Sequence, residues 1–383
     1  MHNLILKIRE HKSFFLIINL LLLLPSIRFF VKFSNFYLFI FYVVGINILT
    51  YLIFKNIKKI YKLFNYPLWS IFWGVLTVLN FYIYPIIDAR RNLGKGSTGD
   101  DAMILASKSL MSTGKIYDLI IDFKTPISPG PAWVIFNAPF SIFDMFFLFS
   151  PFYLLVILLS LRKFFGDFRT NLFALYLFSC AIVFELFFNG HDMLPFSLAF
   201  TSLSIVINKI LTKQNNILFS IVLGLLLGIC CTSRIVFFYI PLTFYFILRS
   251  YNRKNAIVLL VVSFLTYLSF NFYYFMINDF YQPMHLLSKG RLLLSDYGLT
   301  FVLIIFISFN YFLIRKLMTA KVNWHIIVAI AFSLVTIPFS IGDLIYQNFS
   351  LINWEGANYL VITIPHFITY IIAKINNNYI QIS

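Results

Sequence analysis

Five aspartates, Asp88, Asp100, Asp101, Asp118 and Asp122, gather in one polar stretch of a chain that has only 14 acidic residues in 383. Asp100 and Asp101 directly follow a Gly-Ser-Thr-Gly turn and open a run with helical spacing. One aspartate there is enough to cap free N–H groups and suit the helix dipole. Two in succession, in so charge-poor a chain, point at least as strongly to chemistry. A carboxylate in this position can take a proton from an attacking hydroxyl, or it can hold a divalent metal.

Ionisable residues inside apolar runs are costly and therefore informative. His191 and Asp192 sit in FFNGHDMLPF, Glu185 lies one to two turns before them, and Arg234 sits in CCTSRIVFF. An arginine near a span end can simply snorkel to the interface. The alternative is a phosphate clamp, for which a guanidinium is well suited. It is preferred here because Asp100, His191 and Arg234 are predicted at one depth. A half-buried histidine is more often hydrogen-bonded than catalytic, so His191 ranks below Asp100. Lys289 and Arg291 flank a glycine in HLLSKGRLLL, on a segment read as a loop over 277–297. As a solvated loop they need no function; the sharper reading is contact with a lipid phosphate. Trp354 and Tyr359 mark an interface, where aromatics are common regardless of function.

The elements that must position these residues are membrane helices. Six residues in ten are apolar and about one in nine is charged, against roughly half and a quarter in soluble domains. Apolar runs predict spans over 13–32, 34–54, 67–87, 143–162, 171–189, 193–209, 216–233, 235–249, 256–276, 298–314, 325–344 and 357–374. The expected fold is therefore all-α and polytopic, with about 12 transmembrane helices at about 20 residues each. The formal net charge is +16. On a soluble protein that would raise nucleic acid as a partner. Here Lys and Arg fall in short loops between apolar runs, after spans two, four, eight and ten and before the first, as the positive-inside rule expects. All these loops share one face if the N-terminus is cytoplasmic. Membrane lipids are the expected partner and nucleic acid is not. The apolar first run, lacking a small-x-small cleavage site, reads as an uncleaved span.

The whole chain, 1–383, then forms one transmembrane domain whose large extracytoplasmic loop spans 88–142. Within it, Ala102 to Leu110 predicts an amphipathic surface helix with Gly114 as its C-terminal cap. Pro126, Pro129 and Pro131 forbid helix and predict a turn back into the bilayer. Cys180, Cys230 and Cys231 all lie in apolar runs and indicate neither disulfides nor a metal site. No GxSxG, HExxH, P-loop or dinucleotide fingerprint occurs in a fitting context.

The stretch GDDAMILASKSLMSTGKIYD, followed by TPISPGPAWVIFNAP, resembles the first extracytoplasmic loop of the GT-C superfamily of membrane glycosyltransferases. The nearest branch is the polyprenyl-phosphate-mannose-dependent mannosyltransferases of glycosyltransferase family 87. The matching positions are Asp100, Asp101, Gly114, Tyr117 and Pro126 to Pro131. NGHDMLPFSLAF, GLLLGICCTSRIVFFYIPL and GANYLVITIPHF resemble three further segments of that family. In the last, Asn358 stands where the family often has Arg, and His191–Asp192 replace its Gln-containing turn. Spans one and two are additional. The resemblance, over about residues 67–374, implies transfer of a hexose, such as mannose, from a polyprenyl-phosphate donor to a glycan or lipid acceptor outside the plasma membrane. It implies Asp100 as general base, inversion at the anomeric carbon, and Asp101 assisting by hydrogen bonding or metal contact. His191, Asp192, Arg234, Lys289, Arg291, Tyr117 and Tyr359 would bind substrate. The residues identify no cofactor with certainty, and a divalent metal is possible.

Two other classes compete. A transporter or flippase for a lipid-linked or anionic molecule would place charges near the midplane, in related halves; only Glu185 sits at depth, and no repeat is visible. A polysaccharide polymerase or ligase has a similar span count but usually carries its large loop late in the chain. A scaffold without chemistry ranks last.

Overall fold

The computed structural model describes residues 18–89, 97–119, 126–213, 216–319 and 323–375. The predicted first span begins before these residues, and Asp122 lies outside them. The described residues form helices and no strands. In chain order they are α1 (Ile27–Phe33), α2 (Phe36–Lys55), α3 (Ile57–Phe64), α4 (Leu68–Asp88), α5 (Thr98–Thr113) and α6 (Pro131–Ile142). There follow α7 (Phe149–Phe165), α8 (Asp167–Ser179), α9 (Ala181–Phe188), α10 (Met193–Leu211), α11 (Ile217–Cys231) and α12 (Ile240–Arg249). The last six are α13 (Arg253–Ile277), α14 (His285–Ser308), α15 (Ile314–Thr319), α16 (Trp324–Tyr346), α17 (Ala357–Leu360) and α18 (Ile364–Lys374).

Seven of the described helical stretches are long and apolar enough to cross a membrane, or eight if the pair α8–α9 counts as one span bent by 86°. The protein therefore has the character of a multi-pass membrane protein. The twelve predicted spans are not all single long helices. The predicted span 357–374 divides into α17 and α18, with Pro365 in the first turn of the second helix. The predicted spans 216–233 and 235–249 are shorter apolar helices. Apolar composition marks burial as well as lipid contact, and only length tells the two apart.

Asparagine caps start several helices. Asn35, Asn216, Asn252 and Asn323 each accept a backbone N–H from the first turn that follows, satisfying donors that the helix leaves free. The α11–α13 crossing is set by Gly224 and Gly228, four residues apart. A Cβ on Gly228 would come within 2.6 Å of Thr266 Cβ and 2.7 Å of the Ser263 carbonyl. Small residues at this spacing let membrane helices approach closely where hydrophobic exclusion gives no drive. Most of α10 is buried, whereas α2 shows most of its surface. The core therefore runs through α7, α10, α16 and α18, and the N-terminal helices lie at its edge.

The helix predicted over 102–110 is present as α5, longer than that stretch. Ser97 caps it by accepting the Gly99 N–H at 2.8 Å. Gly114 ends it in the left-handed conformation at φ +74, as a C-terminal cap requires. The proline cluster does break helix, and Pro131 then occupies the first turn of α6, where its missing N–H costs nothing.

Candidate functional site

Four connections bring the polar residues to one end of the bundle. The first is the turn Asn189–Asp192, whose Gly190 is left-handed at φ +71 and lies against Tyr84 and Asp100. The second is the segment 126–131. Gly130 sits so close to the end of α11 that a Cβ would fall 1.9 Å from the Thr232 carbonyl oxygen. The Trp133 N–H also donates to Thr232 Oγ1 at 2.9 Å. The third is the turn 278–284, sewn to the loop after α5 by two amides. Asn278 accepts from the Tyr117 N–H at 3.1 Å, and Gln282 Nε2 donates to the carbonyls of Tyr117 and Leu119 at 2.8 and 2.9 Å. The fourth is the turn before α17. There Gly356 N–H donates to Asp343 at 2.6 Å and Trp354 Nε1 donates to the Ser340 carbonyl at 2.8 Å.

These connections enclose a polar cavity of about 640 Å³, including its open mouth, lined among others by Gly99, Ser128, His191, Arg234, His285, Lys289, Glu355, Asn358 and Tyr359. Arg234, Lys289 and Tyr359 also line an adjoining, almost wholly apolar crevice that extends to Leu293 and Phe339. Leu293 in turn borders a lateral groove between α14 and α16 walled by Phe301, Ile305, Ile337 and Ile341. A charged head region thus adjoins an apolar path toward the side of the bundle.

His191, Arg234, Lys289 and Tyr359 share the cavity. Asp192 does not line it. It is fully buried and grips Arg234 through two contacts of 2.7 Å. Burial pushes its carboxyl up, but the Arg234 guanidinium and the His191 hydrogen bond outweigh this and hold it below the usual carboxylate range. The guanidinium in turn is raised, since the carboxylate more than offsets its desolvation. Arg234 is therefore a paired cation with one buried, unpartnered nitrogen, Nε. Lys289 is the less committed charge, 3.9 Å from Glu355. His191 Nδ1 lies 3.3 Å from Asp192 and the same distance from the Met193 backbone nitrogen.

Asp100 stands behind the cavity wall. Gly99 and Ala102 line the cavity, whereas Asp100 does not. It is 1% exposed, and one carboxylate oxygen accepts the Tyr84 hydroxyl at 3.1 Å. Burial, then the neighbouring carboxylates of Asp101 and Asp88, raise its pKa well above the ordinary value. Tyr117 is buried and donates its hydroxyl to the Pro129 carbonyl at 3.0 Å, so it holds the loop and does not face the cavity. Arg291 is exposed and pairs with Asp296 at 3.1 Å.

Segment 277–297 is a correction. It is not a loop but largely the first half of α14, kinked at Ser295 with φ +59. The helix also accounts for a cavity residue that the sequence does not single out, His285. Four residues before Lys289, it lies on the same helix face; in a loop, that spacing carries no meaning. His285 Nε2 lies 3.3 Å from Ser128 Oγ. Arg28, outside the cavity lining, is a second residue that the sequence does not single out. It donates to Asn358 at 2.5 Å and lies 3.9 Å from Glu185, which Lys32 contacts at 3.0 Å. The intramembrane acid is therefore paired from α1, and the N-terminal region braces a cavity-lining residue.

No family model matches the chain, and neither a curated protein nor a solved structure does.

Proposed function

We propose that this chain is a membrane glycosyltransferase that takes its sugar from a polyprenyl-phosphate donor, with its cavity on the extracytoplasmic face of the plasma membrane. The observation that carries the reading is the sharing of Arg234, Lys289 and Tyr359 between a polar cavity and an apolar crevice. An amphiphile with a phosphate between a sugar and a hydrocarbon tail matches that arrangement. The tail would follow Leu293 into the lateral groove, and the phosphate would meet Lys289, backed by the fixed charge of Arg234. The resemblance of Asp100, Asp101, Gly114 and Pro126 to Pro131 to the GT-C loop supports the same class.

In the reaction, the acceptor hydroxyl oxygen bonds to the anomeric carbon from the face opposite the phosphate. The bond from that carbon to the phosphate oxygen breaks, and the lipid phosphate leaves with the electron pair. Cations at the leaving group stabilise its growing charge. The hydroxyl proton needs a base within reach in the cavity. We assign it to His191, which lines the cavity, in the tautomer whose Nδ1 proton points to Asp192 at 3.3 Å and not in the one whose Nδ1 accepts the Met193 N–H at the same distance, so that Nε2 is left as acceptor. Asp100, the base implied by the resemblance, has the cavity-lining backbone of Gly99 and Ala102 beside it.

The test is an assay of purified protein against a panel of polyprenyl-phosphate sugars. We expect transfer by the wild type, a loss of roughly 10²–10⁴-fold in kcat for His191→Gln, and a comparable loss in kcat/KM for Lys289→Gln. Absence of transfer from every donor by folded wild type removes the proposal. Full activity of His191→Gln with an inactive Asp100→Asn returns the proton to Asp100.

A further inference from the structure

We propose that the groove between the end of α12 and the helical stretch 309–319 binds one anionic glycerophospholipid. Its walls are two helix faces. Phe246, Arg249 and Ser250 stand at i, i+3 and i+4 on α12. Opposite them, Tyr311, Arg315 and Met318 follow at i, i+4 and i+7, from the π-helical turn Phe309–Leu313 into α15. Residues at these spacings share a face. The groove holds about 1690 Å³, counting its open side, which exceeds the roughly 300–1,000 Å³ of a pocket for a drug-sized molecule. Arg249 ends α12, and the other end of that ten-residue helix follows Arg234. The groove is therefore separated from the polar cavity by about 15 Å of helix.

Three observations separate this groove from ordinary surface basicity. First, its charge is uncompensated. The chain has no acidic residue in 193–278 or 297–342, the two stretches that supply the whole lining. Among the described residues, neither the Arg249 nor the Arg315 guanidinium has an ion-pair or hydrogen-bond partner. Two cations facing one groove repel each other, and a bound anion offsets that repulsion. Second, the free donors suit a phosphate. A guanidinium grips phosphate oxygens in bidentate fashion. Tyr251 and Tyr311 add two exposed hydroxyls that have no partner among the described residues. Third, the wall is pinned in place. Buried Thr243 on α12 donates to Asn310 Oδ1 at 2.7 Å, and Asn310 Nδ2 donates to the Phe306 carbonyl at 3.0 Å. A π-helical turn within a helix is rare and is found mostly at functional sites. This one carries Tyr311 and leads directly to Arg315.

The phosphate diester of the lipid accepts from both guanidiniums, and its acyl chains start along Phe246 and Met318. The unpaired positive charge repels the ammonium of a zwitterionic headgroup, so the groove selects phosphatidylglycerol over phosphatidylcholine. This goes beyond the general attraction of basic loops to an anionic membrane. Arg253 and Lys316 carry the same charge close by in sequence but do not line the groove. Bound there, the lipid neutralises Arg249 and Arg315 and holds the end of α12 against α15.

The full chain in a non-ionic detergent is titrated with dioleoylphosphatidylglycerol or dioleoylphosphatidylcholine, and lipid-bound species are counted by native mass spectrometry. We expect one phosphatidylglycerol per chain to saturate first, phosphatidylcholine to bind more weakly, and the unfolding temperature to rise with the anionic lipid alone. The double variant Arg249→Gln, Arg315→Gln should weaken phosphatidylglycerol binding roughly tenfold or more, since two cations leave the headgroup's surroundings. Both side chains are exposed, so the fold should survive, as gel filtration checks. The double variant Arg253→Gln, Lys316→Gln loses the same charge outside the groove and should bind like the wild type. Equal weakening in the two variants overturns the inference, because net charge and not the groove would then hold the lipid. Equal binding of both lipids overturns it as well. So does inorganic phosphate that displaces the lipid at equal concentration, since the groove would then take the free anion. No readout involves sugar transfer, so the lipid site and the glycosyltransferase reading stand or fall separately.

Discussion

At the scale of single residues, the Asp192–Arg234 pair organises the site. Each charge is buried, and each satisfies the other through two contacts of 2.7 Å. Replacing one partner leaves the other as an uncompensated buried charge, which costs roughly 3–5 kcal/mol. Asp192→Ala should therefore lower the unfolding temperature sharply in detergent. The double variant Asp192→Leu, Arg234→Met should recover much of the loss, because no lone charge remains. Thermal unfolding of the three proteins checks this; equal destabilisation in the single and double variants would mean that packing, not charge, dominates the position. The sequence singles out both residues, but as separate substrate contacts. Their pairing spans 42 positions, and no local pattern encodes such a contact. The same holds for Arg28 and Asn358, which are 330 positions apart.

At the scale of elements, local signals are legible where they reflect local physics. Ser97 before α5, Gly114 after it and Pro131 opening α6 follow from which N–H groups a helix start leaves free and which residues tolerate left-handed backbone. The helical character of 277–297 is hidden because a charged pair around Gly290 and a kink at Ser295 both imitate a loop. The segment 126–131 is legible only as a helix breaker. Its purpose lies in tertiary structure: Gly130 is pressed against the Thr232 carbonyl, two residues before Arg234. Any side chain there must push the segment off α11, since the obstacle is backbone that cannot rotate away. Gly130→Ala is expected to destabilise the fold by more than the ~1 kcal/mol typical of a point substitution and to weaken ligand binding at Lys289 and Arg234. Gly114→Ala, with nothing within 4 Å of an added Cβ, is the control: only its left-handed φ opposes the change, so the fold should lose about 1–2 kcal/mol, less than with Gly130→Ala, and ligand binding should be unchanged. Thermal unfolding of both variants, with binding of a polyprenyl phosphate measured alongside, checks the contrast.

At the scale of the whole molecule, function depends on which face of the bundle meets which compartment. The basic clusters Lys55–Lys62 and Arg249–Lys254 lie at the end of α2, on α3, at the end of α12 and at the start of α13, whereas the cavity is lined from 126–129, 191–193, Arg234 and the start of α14. Under the positive-inside rule the basic clusters would face the cytoplasm, and the proposed function needs the cavity on the other side. Cysteine labelling tests this directly. The native Cys180, Cys230 and Cys231 are each at most 7% exposed and should not react in the folded protein. A cysteine introduced at the exposed Ser112, on α5, should be labelled by a membrane-impermeant maleimide in intact cells. One introduced at the exposed Tyr66, beside α3, should be labelled only after the membrane is opened. Reversed accessibility would place the cavity in the cytoplasm, where a donor presented on the outer leaflet cannot reach Lys289, and the glycosyltransferase proposal in its present form would fail.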